Sequence, residues 1–104
     1  MNVLFIDTSS NKEITVSLTI EEKEYTKKKT IGIQKAQIVL PLIDQLLTEY
    51  TLKLSDITSI NVHTGPGSFT GIRVGVSIAN ALGFALGIPI NGKKVGEFVF
   101  PIYE

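Results

Sequence analysis

The alternation of apolar and polar positions predicts three strands at the start of the chain. Residues 3–6 are a continuous apolar run, residues 14–20 alternate strictly between apolar and polar, and residues 23–30 are mostly charged. A continuous apolar run is typical of a strand that is buried on both faces, and strict alternation is typical of a strand with one covered face. A mostly charged segment is typical of an edge strand. These segments are therefore predicted to form an antiparallel meander.

Helical periodicity appears in two later segments, residues 36–50 and residues 72–86. In the first, Pro41 either lies in the first turn, where its missing N–H costs nothing, or kinks a helix that began earlier. The second is followed by Gly87, a typical residue at a helix end. It is preceded by a loop over residues 65–71 that contains three glycines and a proline, which predicts a turn.

The second helix is apolar around most of its circumference, apart from a narrow polar stripe at Arg73, Ser77 and Asn80. Small residues recur along it at every fourth position: Gly71, Gly75, Ala79, Gly83 and Gly87. Each interior glycine costs about 0.5–1 kcal/mol relative to alanine, and close approach of another backbone is the usual compensation. We therefore predict that the helix is covered on two sides, by the chain's own sheet and by a second partner.

Two more short strands complete the predicted fold, one at residues 60–63 before the glycine loop and one at residues 88–91 after the second helix. The order β-β-β-α-β-α-β predicts an α/β domain over residues 1–104 with a mixed five-stranded sheet. This is the order of one half of a ribonuclease-H-like or actin-like ATPase. Residues 98–103 (Phe98 to Tyr103) are too apolar for a free tail and are expected to cap a core or a partner surface.

Composition excludes several classes of function. Ten basic and ten acidic residues leave the chain formally neutral, which indicates no global attraction to nucleic acid or to anionic lipid. There is no cysteine, so thiolate nucleophiles and thiolate metal sites are excluded. The single histidine, His63, has no acidic neighbour at a metal-ligand spacing, and no metal site is predicted. No signal pattern is present, and we expect a cytoplasmic protein without a membrane anchor.

Two segments carry candidate chemistry. Asp7, Thr8 and Ser9 follow the first strand, where α/β sheets place ligands, and the loop that contains Gly65, Gly67 and Ser68 could hold an anion, with Arg73 as the nearby cation. For the first segment the alternative is that the side chains form hydrogen bonds within their own turn, and for the loop it is a tight packing corner. In each case we favour this structural alternative. The corresponding functional alternative is a small nucleotide-binding or ATP-hydrolysing domain that uses Asp7, the loop and Arg73.

Several motifs carry a resemblance to a known family: IDTS at residues 6–9, LPLIDQLL at 40–47, LSDI at 54–57, GPGSFTGIRVG at 65–75 and ALGIP at 85–89. Over nearly the whole chain the sequence resembles the N-terminal half of the TsaB/YeaZ family, which is also called the glycoprotease-like M22 group. The family usually has His-Ser-Glu where this chain has KAQ at residues 35–37. The resemblance covers only the first half of the family fold, and we expect either a truncated form or a naturally short homologue.

The resemblance implies an actin-like fold and a non-catalytic role beside a TsaD-like enzyme that modifies adenosine-37 of tRNA. It also implies a TsaE-like ATPase reached through that complex, indirect contact with tRNA, and pairing with TsaD or with a second copy through the two helices. No cofactor is expected for this chain by itself. ATP or ADP with Mg²⁺ is expected to bind only in a larger complex. The implied partner-binding residues are Ile72, Gly75, Val76, Ala79, Leu82, Gly83 and Leu86 of the second helix with Leu42 and Leu46 of the first.

Overall fold

The computed structural model describes residues 1–30 and 35–102. Its elements are β1 (Asn2–Asp7), β2 (Glu13–Ile20), β3 (Lys23–Thr30), α1 (Lys35–Glu49), a short 3₁₀ helix (Leu54–Asp56), β4 (Ser59–Val62) and α2 (Phe69–Leu86). The sheet order is β3-β2-β1-β4, with β1–β2 and β2–β3 antiparallel and β1–β4 parallel. The mixed α/β architecture and the meander are confirmed.

One face of the sheet carries the core. Leu4 pairs with Leu18 on one side and with Ile60 on the other, so these side chains point to the same face. The buried apolar residues of the strands are Leu4, Ile6, Ile14, Val16, Leu18, Ile60 and Val62, each at most 4% exposed. Both helices pack on this face. β1 was predicted to be buried on both faces, but on its second face Val3 and Phe5 are only half-buried.

Helix α1 is amphipathic as its periodicity predicts. Val39, Ile43 and Leu46 are at most 2% exposed and face the sheet. Pro41 is the seventh residue of the helix, so it lies in the interior and not in the first turn. Its side chain is exposed, and the carbonyl of Gln37, four residues earlier, loses its usual N–H donor on the solvent side, where water can replace it.

The predicted fifth strand is reduced to one parallel bridge between Ile90 and Ile60. There, Ile60 N–H donates to Pro89 O (3.0 Å), and Asn91 N–H donates to Ile60 O (2.8 Å). Asn91 then adopts a left-handed conformation with φ of 51°. Its side-chain amide completes the pairing, accepting from Val62 N–H at 2.7 Å and donating to Val62 O at 3.1 Å. The sheet therefore has four strands, because an asparagine side chain replaces the backbone of a fifth.

The apolar C-terminal segment caps the core along α2. Asn80 accepts from Val99 N–H and donates to Val99 O, both at 2.9 Å, and Val99 is 2% exposed. The Phe98 ring meets the Phe84 ring edge-on at 6.4 Å. The alternative in which this segment caps a core is therefore observed for Val99. Tyr103 lies outside the described residues.

Candidate functional site

Thr8 ties the end of β1 to the beginning of α2. Its hydroxyl donates to Gly71 O and accepts from Gly75 N–H at 3.0 Å, and the residue is 1% exposed. These are the carbonyl and the N–H that an ordinary i to i+4 helical hydrogen bond would join. The threonine hydroxyl thus bridges one turn of the helix, a contact between residues more than 60 positions apart that no local motif indicates.

Two glycines are required by this close approach. A Cβ at Gly75 would lie 2.5 Å from Thr8 Oγ1, and a Cβ at Gly67 would lie 2.5 Å from Ser9 Cβ. Gly67 also has φ of 145°, which side chains rarely adopt. Ser68 N–H donates to Ser9 O at 2.8 Å, so the loop is fastened to the turn after β1. The loop is therefore a packing corner, as we favoured.

Asp7 and Ser9 bond within their own turn. Asp7 Oδ1 accepts from the backbone N–H of Ser9 at 2.9 Å and from the Ser9 hydroxyl at 2.6 Å. One carboxylate oxygen and one hydroxyl are thus already paired with each other. The hydrogen bonds of these three candidate ligand-binding side chains therefore join β1, its turn and α2.

The glycine loop does not bring Arg73 to Asp7. The loop borders a depression of about 180 Å³ lined by Gly65, Pro66, Gly67, Phe69, Ile72 and Ile102, and neither charged residue is in this lining. Gly71 N–H donates to Ser68 Oγ at 3.3 Å, which caps α2 and uses one of its free N–H groups. The described residues that line the depression therefore include neither of the two charged side chains considered for a nucleotide site.

His63 stabilises the loop. Its Nε2–H donates to Pro66 O at 2.7 Å, and its backbone N–H donates to Ile6 O at 3.0 Å. A carbonyl can only accept, so this ring nitrogen carries the proton. Over residues 1–30 and 35–102 no group of three His, Cys, Asp or Glu side chains is arranged to hold a metal ion.

The ridge of small residues on α2 faces the chain's own core. Of the residues that the resemblance implied for partner binding, Ile72, Gly75, Val76, Ala79 and Gly83 on α2 and Leu42 and Leu46 on α1 are buried, while Leu82 and Leu86 are half-buried. A Cβ at Gly83 would lie 2.5 Å from Ile90 Cδ1. Gly75 and Gly83 are therefore covered by Thr8 and Ile90 of the same chain, and these two positions leave no surface for a partner.

The side of the helices away from this ridge is only partly covered by the described residues, and Val74 and Ile78 at its border still pack against the core. We define the outer helix face as Leu40 of α1 with Val74, Ile78, Ala81 and Ala85 of α2. Leu40 is 49% exposed, Ala81 and Ala85 are exposed, and Val74 and Ile78 are half-buried. Beside this face a groove of about 420 Å³ is lined by Ala36, Thr70, Arg73, Val74, Ser77 and Ile78. The nearly all-apolar circumference of α2 already indicated this face in the sequence. The partner surface was predicted on the opposite side because the small residues recur there.

By length and composition, α2 is the one helix within the described residues that passes a test for a membrane span, with 18 residues and a mean hydropathy of 1.4. Buried helices of globular proteins pass the same test. Six residues of α2 are buried in this fold. Packing on the chain's own strands therefore explains at least part of its apolar composition.

Comparison with known proteins agrees with the motifs. A family model described as TsaD, tRNA N6-adenosine threonylcarbamoyltransferase, matches residues 14–93. The tRNA threonylcarbamoyladenosine biosynthesis protein TsaB of Bacillus subtilis is 32% identical over 116 residues, which cover 100% of this chain and 50% of that protein. TsaB of Escherichia coli is 32% identical over 92 residues, 88% of this chain and 39% of that protein.

Solved structures give the same result. YeaZ from Pseudomonas aeruginosa superposes with a TM-score of 0.81 at 32% identity, covering 89% of this chain and 43% of that one. A second structure, described as an uncharacterized protein with similarity to peptidase YEAZ from Pseudomonas aeruginosa, gives a TM-score of 0.81 at 34% identity, covering 86% of this chain and 41% of that one. The chain thus spans half or less of the length of these relatives.

Proposed function

Since the chain belongs to the TsaB/YeaZ family, we propose that it supports the threonylcarbamoyl modification of adenosine-37 in tRNA as a non-catalytic partner of a TsaD-like enzyme. The names of the TsaB relatives and the match to the TsaD family model support this assignment. The chain corresponds to one half of those relatives and would act as a docking unit. Its place of action would be the cytoplasm, where tRNA is modified.

The outer helix face carries this proposal. α2 is apolar almost all the way round, yet the chain covers only one side of it, and Leu40 adds a half-exposed leucine from α1 to the uncovered side. An amphipathic helix in a one-sided layer would place charged residues there. Apolar residues on that side are expected where a second layer of helices packs, so the natural occupant is a helix pair of the same kind on the homologous enzyme.

Small side chains on this face suit close helix packing. Ala81 and Ala85 lie one turn apart and are flanked by Val74 and Ile78, a combination that allows two helices to approach and still bury branched residues at the contact. The same surface is also available to a second copy across a two-fold axis. A TsaE-like ATPase and tRNA would then be contacted through the enzyme and not by this chain.

A non-catalytic role fits the site geometry. The carboxylate of Asp7 is bonded by Ser9, the hydroxyl of Thr8 is bonded by α2, and Arg73 lies apart from both. Binding of ATP or ADP with Mg²⁺ would need groups that a larger complex supplies. The peptidase description of one relative finds no support in the side chains of the described residues, which include no metal-binding cluster.

The test is a charge placed on the outer helix face. Ala81→Glu puts a carboxylate at an exposed position, so folding is retained, but docking would bury it. We expect affinity for the TsaD homologue of the same organism to fall at least tenfold, measured by calorimetry and native mass spectrometry. Gln45→Glu is the matched control, because it adds the same side chain on an exposed part of α1 away from the groove, and its affinity should equal that of the wild type.

The expected pattern can be refuted directly. Wild-type affinity in Ala81→Glu would show that the outer helix face is not the interface. Substitution of Gly75 or Gly83 by a large residue does not test docking, since either change would clash with Thr8 or Ile90 inside the fold.

A further inference from the structure

Arg73 lies at the groove beside the outer helix face. Resting on the docking proposed above, we propose that Arg73 is the polar anchor of that site and that the partner presents a carboxylate to its guanidinium group. The inference concerns the chemistry of the partner surface. It requires that a helix bound over the groove carry an aspartate or glutamate at this position.

The guanidinium group is unpaired but oriented. Arg73 is exposed, and within residues 1–30 and 35–102 it forms no hydrogen bond or ion pair. Its Cζ lies 5.7 Å from the centre of the Phe69 ring, four residues earlier in α2. A cation over an aromatic face is attracted by the ring and loses some of its freedom before binding. Arg73 is therefore partly preorganised to meet a partner.

The other described residues that line the groove supply no negative charge to neutralise Arg73. Apart from Arg73, the lining consists of Ala36, Thr70, Val74, Ser77 and Ile78, none of which is acidic. When a partner covers the groove, water is removed from the guanidinium group, and an unpaired buried charge is costly. A partner that packs on the apolar residues must therefore bring an anion, or Arg73 would oppose docking.

A protein carboxylate fits this place better than a phosphate of RNA. Among the described residues that line the groove, Arg73 is the one cation, between apolar and small polar walls, whereas nucleic-acid sites use several lysines and arginines. The sequence as a whole is also formally neutral. The planar fork of an arginine matches a carboxylate through two parallel hydrogen bonds. Arginine is also enriched among the residues that dominate binding at protein interfaces.

The test uses the complex of the full chain with the TsaD homologue. We expect Arg73→Gln to raise Kd about 10- to 100-fold and to reduce the dependence of Kd on salt, as loss of one desolvated ion pair predicts. Arg73→Lys should recover only part of the affinity, since an ammonium cannot pair through two parallel bonds. Lys23→Gln, which removes an exposed positive charge on the opposite edge of the sheet, should leave Kd unchanged.

A charge exchange identifies the matching residue. Each acidic side chain on the exposed helices of the partner is replaced in turn by arginine, and one of these variants should restore binding to Arg73→Glu. A wild-type Kd for Arg73→Gln, or failure of every reversal to restore Arg73→Glu, would overturn the inference. So would a loss of direct tRNA binding in Arg73→Gln that is not accompanied by weaker binding to the enzyme.

The outcomes separate this inference from the docking on which it rests. If Ala81→Glu abolishes the complex while Arg73→Gln does not weaken it, docking through the outer helix face stands and the carboxylate contact is refuted. If the wild-type chain does not bind the enzyme, or if Ala81→Glu binds as tightly as the wild type, the docking site and the inference are both refuted.

Discussion

Replacing Gly75 by alanine tests how α2 is fitted to the sheet. On helix propensity alone the change should stabilise the protein by about 0.5–1 kcal/mol. The new Cβ, however, would lie 2.5 Å from Thr8 Oγ1 and 3.4 Å from Thr8 Cγ2. Moving Thr8 away strains a site that is 1% exposed, at about 1–3 kcal/mol for overpacking, and weakens two hydrogen bonds worth about 0.5–1.5 kcal/mol each. We expect a net loss of about 1–3 kcal/mol, because the steric cost exceeds the gain in propensity.

The cause can be isolated in a double-mutant cycle with Thr8→Ala. Removal of the hydroxyl and the methyl group of Thr8 eliminates both close contacts, and the next atom, Ile6 Cγ2, is at an ordinary 3.5 Å. Gly71 O and Gly75 N–H can then pair with each other as in a regular helix. In this background Gly75→Ala should be neutral or stabilising by about 0.5–1 kcal/mol, which makes the coupling between the two positions about 1–4 kcal/mol.

The assay is urea unfolding followed by circular dichroism, with the four proteins of the cycle measured together. For a domain of this size, a loss of 1 kcal/mol corresponds to a decrease in Tm of about 4–8 °C, so the effect is also visible on heating. Ser77→Ala, at an exposed position of the same helix, is the control and should change stability by less than about 0.5 kcal/mol. If Gly75→Ala stabilises the wild type as much as it stabilises Thr8→Ala, the proposed fit between Thr8 and Gly75 is refuted.

Three further predictions concern two asparagine side chains that bond the backbone and the glycine that ends α2. Asn91→Asp should destabilise the domain by about 1–3 kcal/mol, because a carboxylate cannot donate to Val62 O; unfolding in urea checks this, and an unchanged midpoint would exclude a role for the amide at the sheet edge. Asn80→Asp should release Val99 and speed limited proteolysis of the C-terminal segment, whereas a wild-type cleavage rate would show that other contacts hold it. Gly87→Ala should cost about 1 kcal/mol and Gly87→Asn less, since φ is 65° there with open space around the Cβ position; equal losses in thermal unfolding would contradict this reason.

Local pattern determined the elements of this protein well. Period-two alternation and the charged edge predicted β2 and β3, the helical period predicted α1 and α2, and Gly87 predicted the end of α2. These features depend on neighbours within a few residues, which the sequence displays directly. The family motifs indicated the TsaB/YeaZ family, and the comparisons agree with it.

Contacts between distant segments were decided only by the tertiary structure. Periodicity showed that α2 has a ridge of small residues, but nothing local indicates whether another segment of the same chain or another protein approaches it. In the fold, Thr8 and Ile90 of the same chain do. In the same way, the apolar residues 88–90 favoured a fifth strand, while the left-handed turn at Asn91 and its bonds to Val62 stop it after one bridge. Helical periodicity shows which residues share a side of a helix but not what packs against that side. Only the packed fold therefore reveals which side is already covered and which side remains for a partner.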